Sequence, residues 1–138
     1  MTLVVDASVL VKLVLEEEHS EEFGKYFYTA ALSEKIFSPD FALAEAFNAI
    51  WKHVKLLRDL GEPEGVKASR DLLKIWEKLN IYSFSRLSSQ ALEEALKTGL
   101  TVYDAAYLVL AEKLNAKLTT FDGRLRKAAR EAGVPIVP

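Results

Sequence analysis

The chain has 138 residues, 50% hydrophobic and 28% charged, with a formal net charge of −2. That size and balance suit a single domain over residues 1–138 with a real core, and exclude a disordered chain. The absence of cysteine excludes disulfides, thiolate metal sites and thiol nucleophiles and leans the compartment to the cytoplasm. Near-neutral charge means that any basic surface for nucleic acid must be local.

Leu3-Val4-Val5 is a short apolar run ending on Asp6, the pattern of a buried parallel strand. Ala7 and Ser8 are small, and Val9 to Leu15 read as helix, so Asp6 falls at a strand-to-helix junction. Asp6 and Lys12 interrupt the apolar N-terminus, which lacks the basic flank and cleavage site of a signal peptide. No apolar run approaches the roughly 20 residues of a membrane span. Ser20 with Glu21 and Glu22 starts a helix running towards Glu34, and Ile36-Phe37 predicts a brief strand.

Ser38 as N-cap and Pro39 at the first helical position then predict a long helix. Its core stripe reads Leu43, Phe47, Ile50, Val54 and Leu57. Within FALAEAFNAIW only Glu45 and Asn48 are polar, and they share a helix face. Gly61-Glu62-Pro63 punctuates the chain before a helix to about Leu79, followed by a strand from Ile81 to Phe84. Ser88 starts a helix that Gly99 ends.

From Val102 to Ala111 the chain reads VYDAAYLVLA, apolar almost all round, with Asp104 its one charge. After a break at Asn115-Ala116, Lys117 to Phe121 predict a strand leading to Asp122. Leu125 to Ala132 form a basic helix stopped by Gly133, and Val134 to Val137 a last strand. Strands alternating with helices imply a parallel sheet covered on both faces.

Asp104 fits a capping pattern with Thr101, and Asp122 fits an N-cap for the last helix. The same anomaly nonetheless recurs four times: Asp6 and Asp122 at strand ends, Glu45 and Asp104 on early turns of apolar helices. If the four converge, like charges raise one another's pKa and destabilise the fold. A hard divalent cation, Mg²⁺ or Mn²⁺, resolves that crowding, because it takes oxygen ligands. His19 and His53 lie in charged contexts and read as solvated.

DASVLVKLVLEEE, the E-x-x-N of Glu45 to Asn48, YDAAYLVLAE and TTFDGRL together resemble the PIN-domain ribonucleases, closest to the VapC-type toxins of toxin–antitoxin pairs. The resemblance spans the chain. It implies a three-layer α/β/α fold around a mainly parallel sheet of four or five strands. It also implies Mg²⁺- or Mn²⁺-dependent RNA endonuclease activity, a homodimer, and an antitoxin whose basic side chain enters the acidic pocket. Carried over by residue, the catalytic and metal-holding acids are Asp6, Glu45, Asp104 and Asp122. Ser8 and Thr120 match small hydroxyl positions beside them, and Asn48 matches the family's amide. Some members carry another acid just after the fourth, and here Arg124 and Arg126 flank that place.

Arg124, Arg126, Lys127 and Arg130 concentrate positive charge beside Asp122, where they would grip RNA phosphates, although such a run also describes a solvated face. Lys12 matches the family motif and equally reads as a long side chain covering apolar surface. Tyr103, Tyr107, Trp51 and Trp76 read as core or dimer contacts. Three other readings stand beside the toxin: an RNA-processing nuclease, a phosphotransfer domain with Asp6 as nucleophile, and a non-catalytic module whose acidic pocket docks a basic segment. Phosphotransfer usually wants a second aspartate two residues on, where this chain has Ser8.

Overall fold

The computed structural model describes residues 2–15, 24, 25, 27 and 35–137. The helix expected from Ser20 towards Glu34 lies almost entirely outside the described residues, as does His19. Strand β1 (Leu3–Val5) leads into helix α1 (Ala7–Val14), and β2 (Ile36–Pro39) precedes α2 (Ala42–Lys55) and α3 (Glu62–Trp76). Next come β3 (Asn80–Tyr82), a 3₁₀ turn over Phe84–Arg86, α4 (Ser88–Thr98), α5 (Val102–Leu114), β4 (Lys117–Thr119) and α6 (Gly123–Glu131).

All four strands are parallel, in the order β3-β2-β1-β4, with Leu3 opposite both Ile36 and Lys117. The α/β/α layering expected from sequence is present. Helices α1, α2 and α3 pack on one another, while α5 lies against β1, β2 and β4 and carries α4 and α6 beside it. Covered on both faces, β1 can be apolar at every position, and Leu3, Val4 and Val5 are all buried. Helix α5 is buried continuously from Ala105 to Ala111, which explains its apolar circumference. Asn115 closes it in the left-handed region at φ 51°, and Gly99 ends α4 in the same way at φ 81°.

Several boundaries differ from expectation for physical reasons. Ser38 and Pro39 do not open a helix. They end β2, opposite Ile81 and Tyr82, and the buried Ser38 hydroxyl donates to the Val5 carbonyl at 2.9 Å. Ser-Pro suits a helix start and a strand end alike, and here sheet pairing decides. Helix α2 begins instead after Phe41, with no side-chain cap. Its buried face is Ala42, Ala46 and Ile50, whereas Phe47 is 37% exposed and Leu57 63%. Strand β3 stops at Tyr82, because Phe84 enters the 3₁₀ turn, and β4 stops at Thr119, ahead of Phe121. The expected last strand is reduced to one parallel bridge, Leu118 with Ile136. Among the described residues no helix is long and apolar enough to cross a membrane.

Candidate active site

In the order 3-2-1-4 the chain steps from β1 to β2 on one side and returns to β4 on the other. Ligand crevices in such sheets open at that reversal, beyond the carboxyl ends of the strands. Asp6 follows β1 there, and Thr120 to Asp122 follow β4.

Asp6 is buried, 4% exposed, yet fully engaged. As N-cap of α1 its Oδ1 accepts the Val9 amide at 3.2 Å. Ser8 Oγ donates to Oδ1 at 2.6 Å, and Thr120 Oγ1 donates to Oδ2. Each hydroxyl in turn accepts a backbone amide, Phe121 N–H on Ser8 and Asp122 N–H on Thr120, both at 3.0 Å. Each hydroxyl thus accepts one backbone amide and directs its proton at Asp6. The segment after β4 is tied to the carboxylate after β1 through two hydroxyls, the two that sequence singled out.

The other three acids lie on the first turns of α2 and α5 and at the N-cap of α6. Glu45 on the first turn of α2 is half-buried, and its Oε1 accepts the Tyr107 hydroxyl of α5 at 2.7 Å. Asp104 sits on the first turn of α5, where its backbone amide donates to Thr101 Oγ1 at 3.2 Å. Asp122 caps α6, accepting the Leu125 amide at 2.8 Å. The capping geometries foreseen for Asp104 and Asp122 are therefore present, and they coexist with the crevice. Asn48 is exposed one turn beyond Glu45.

Electrostatics link these acids through Asp104. Burial, with a smaller contribution from the Asp104 charge, raises the Asp6 carboxyl to about 6 against the hydrogen bonds of Ser8, Thr120 and Val9. Burial also raises Glu45, opposed by the Tyr107 hydrogen bond and assisted by Asp104. Asp104 is raised by burial and by the Asp122 charge, with Thr101 and Arg124 opposing. Asp104 is thus coupled to each of the other three.

Hard oxygen donors held above their ordinary proton affinity by burial and mutual repulsion suit a divalent cation, which would offset both costs. Among the described residues no cluster of three or more His, Asp or Glu side chains stands as a ready-made metal cage. The residues fit the ion by donor chemistry, with Oδ1 and Oδ2 of Asp6 each already fixed by a hydroxyl.

Other residues fall differently from their sequence reading. His53 is not simply solvated: its Nδ1 is 2.8 Å from Asp59 Oδ1, and it lines a cleft of about 400 Å³ with Lys12, Ser8 and Glu45. Lys12 Nζ lies 4.7 Å from the centre of the Phe121 ring, in keeping with a stem over apolar surface. Arg126 donates from Nη1 to the Thr120 carbonyl at 2.9 Å, whereas Arg124, Lys127 and Arg130 are exposed. Tyr107 is core, 1% exposed, but its bond to Glu45 was missed. The available signal was a lone hydroxyl three residues after Asp104 in an otherwise aliphatic stretch. Trp51 is 50% exposed and Tyr103 56%, so neither is core, while Trp76 packs partly buried against the core.

A family model described as the PIN domain matches residues 3–131. The chain belongs to the PIN-domain family. It is 38% identical over 127 residues to Ribonuclease VapC3 of Pyrobaculum aerophilum, covering 91% of this chain and 92% of that protein. PAE2754 from Pyrobaculum aerophilum, a crystal structure, superposes with a TM-score of 0.72 at 30% identity over 93% of this chain and 86% of that one. VapBC2 from Rickettsia felis bound to a DNA fragment from their promoter superposes at TM-score 0.65 over 99% and 98% of the two chains. At 17% identity that second likeness speaks for the fold alone.

Proposed function

We propose that this PIN-domain protein is a Mg²⁺- or Mn²⁺-dependent endoribonuclease and the toxin of a toxin–antitoxin pair. The observation that carries the chemistry is the crowding of Asp6, Glu45 and Asp104 into one field at the sheet's reversal point, each raised above its ordinary proton affinity. The likeness to a ribonuclease over nine-tenths of the chain supports RNA as substrate. Asp6, Glu45, Asp104 and Asp122 are the acids that would hold the ion. When bound there, a divalent cation supplies water activation and offsets charge developing on the phosphate during in-line displacement. Ser8 and Thr120 keep Asp6 in one orientation, so the anchor ligand needs no rearrangement before reaction. The exposed Arg124, Lys127 and Arg130 lie next to Asp122 and would engage the RNA backbone.

The protein works in the cytoplasm as a homodimer. The apolar groove between α2 and α3, where Trp51 stands half exposed, supports a protein contact. A basic side chain of the antitoxin would complement the acidic crevice and compete with the cation.

Cleavage of RNA with Mg²⁺, Mn²⁺ and excess EDTA tests the reading. Cleavage leaving 5′-phosphate ends should require the metal and stop with the chelator. Undiminished cleavage in EDTA by metal-free protein would sink the mechanism, and no cleavage at any metal concentration would favour a non-catalytic acidic pocket.

A further inference from the structure

Among the described residues Tyr107 is the largest side chain buried almost completely, and its hydroxyl donates to Glu45 while also meeting the Ala7 backbone. We infer that Tyr107 is a positioning residue for the proposed cation site, holding Glu45 Oε1 so that Oε2 is presented to the crevice. The inference rests on the nuclease reading of the same acids.

Both ends of the phenol are fixed by α2. The ring meets Phe41, immediately ahead of that helix, edge to face with centroids 5.4 Å apart and planes at 72°. The hydroxyl meets Glu45, one turn later, at 2.7 Å. Phe41 is itself braced by Phe84 and Tyr103 at 5.6 and 5.3 Å, also edge to face. An O–H to carboxylate bond of this length is charge-assisted and directional. Glu45 otherwise hangs on three rotatable bonds at the rim, and the bond removes most of that freedom before any ligand arrives. Asp6 is held in the same manner, through the hydroxyls of Ser8 and Thr120. A tyrosine kept only for packing needs some acceptor for its hydroxyl, and a backbone carbonyl would serve. Here the acceptor is one of the four acids, 62 positions away in sequence.

The test uses Tyr107→Phe, which removes only the hydroxyl, with folding checked by circular dichroism. Mn²⁺ affinity measured by titration calorimetry on the full chain should fall about tenfold, and kcat for RNA cleavage by a similar factor, the size typical of losing a ligand's hydrogen-bond partner. KM for RNA should stay within about twofold of wild type. In a Glu45→Ala background the further change Tyr107→Phe should alter Mn²⁺ affinity no more. A Tyr107→Phe protein that melts lower but matches wild type in both Mn²⁺ affinity and kcat overturns the inference, since the tyrosine is then packing alone. Persistence of the tenfold effect without Glu45 overturns it as well. A wild type that neither binds Mn²⁺ nor cleaves RNA removes the nuclease reading and this inference together. An active wild type with an unperturbed Tyr107→Phe variant removes the inference alone.

Discussion

Two regions of this protein break the ordinary burial rule in opposite directions. At the carboxyl end of β1 and β4, charge goes inside, with Asp6 4% exposed. Along α2 and α3 and just beyond the end of α2, large apolar groups stay outside, with Trp51 50% exposed, Val66 51% and Leu57 63%. The acidic end is built throughout: Asp6, Glu45 and Asp122 each accept a named donor, Asp104 sits on a turn capped by Thr101, and no buried side-chain polar atom among the described residues lacks a partner. Among the described residues the apolar face has no comparable scaffolding. The first is a site in which position is held at a cost in stability, and the second is a surface that gains by being covered. Substituting each region should therefore separate activity from assembly.

The largest expected effect is at Asp104, the acid coupled to the other three. Asp104→Asn should cut RNA cleavage by more than roughly 100-fold, beyond the usual loss of a supporting partner. In chelator the same variant should melt no lower than wild type. Removing the charge gives up a helix-dipole contribution of about 0.3–1 kcal/mol, but the raised carboxyl shows that burial and repulsion outweigh it. The net gain is below about 1 kcal/mol, because a half-exposed group is screened by solvent. Saturating Mg²⁺ should stabilise wild type more than the variant. A variant clearly less stable than wild type in EDTA would return Asp104 to a purely structural cap.

Next in size is the pH dependence of the metal-free fold. Asp6 rises from 3.8 to about 6 on folding, so the native state binds the proton more tightly than the unfolded chain. Its contribution is fully present below about pH 3.8 and is lost as pH rises through about 6. That loss is about 3 kcal/mol, or roughly 10 °C of melting temperature. Glu45 and Asp104, also raised, act in the same direction. Melting curves of wild type and Asp6→Asn in EDTA between pH 4 and 8 should diverge in slope, with the variant flatter. Parallel slopes would mean that Asp6 titrates as an ordinary carboxylate.

These two regions also differ in how readable they were. A lone acid in an apolar run is conspicuous because its cost is large and its remedies few, so Asp6, Glu45 and Asp104 stood out in the bare sequence. The strand-helix alternation gave the layers for a similar reason, as period and punctuation reflect local chemistry. The apolar face of α2 was opaque. Of the expected stripe Ile50 is buried and Leu43 packs against the core, but Phe47 and Leu57 are exposed, and only the packing of Ala42 and Ala46 reveals that the core side is rotated away from them. Hydrophobic periodicity finds a face without saying what covers it. Tyr107 was unreadable as a partner of Glu45 because the bond joins helices 62 positions apart. Ser38-Pro39 failed differently, since its local signal was valid but a long-range strand pairing outweighed it.

The apolar face yields the third expectation. Phe47→Ser with Trp51→Ser should leave the melting temperature of the dilute protein nearly unchanged, because exposed side chains contribute little to the monomer. Sedimentation should move from dimer towards monomer, with RNA cleavage per chain retained when the crevice is complete within one chain. An unchanged dimer would place the interface elsewhere, and abolished cleavage would tie the two regions together.

The smallest effect concerns the basic helix, and it separates two arginines that look alike in sequence. Arg130 is exposed on α6, whereas Arg126 donates to the Thr120 carbonyl, beside the hydroxyl that holds Asp6. Removing one cation that pairs with a phosphate should reduce the slope of log affinity against log salt by about 0.7 for a single strand. Arg130→Ala should show that reduction, a modest loss of RNA affinity at low salt, and an unaltered melting temperature. Arg126→Ala should do the converse. Its slope should hardly change, because the guanidinium is committed to the protein, while stability should fall by about 1 kcal/mol as a partly buried hydrogen bond disappears. Filter binding at several salt concentrations together with melting curves decides between them. Equal slopes for Arg130→Ala and wild type would make that face of α6 a solvated one, and a slope lowered by Arg126→Ala would show that Arg126 leaves Thr120 to meet the RNA.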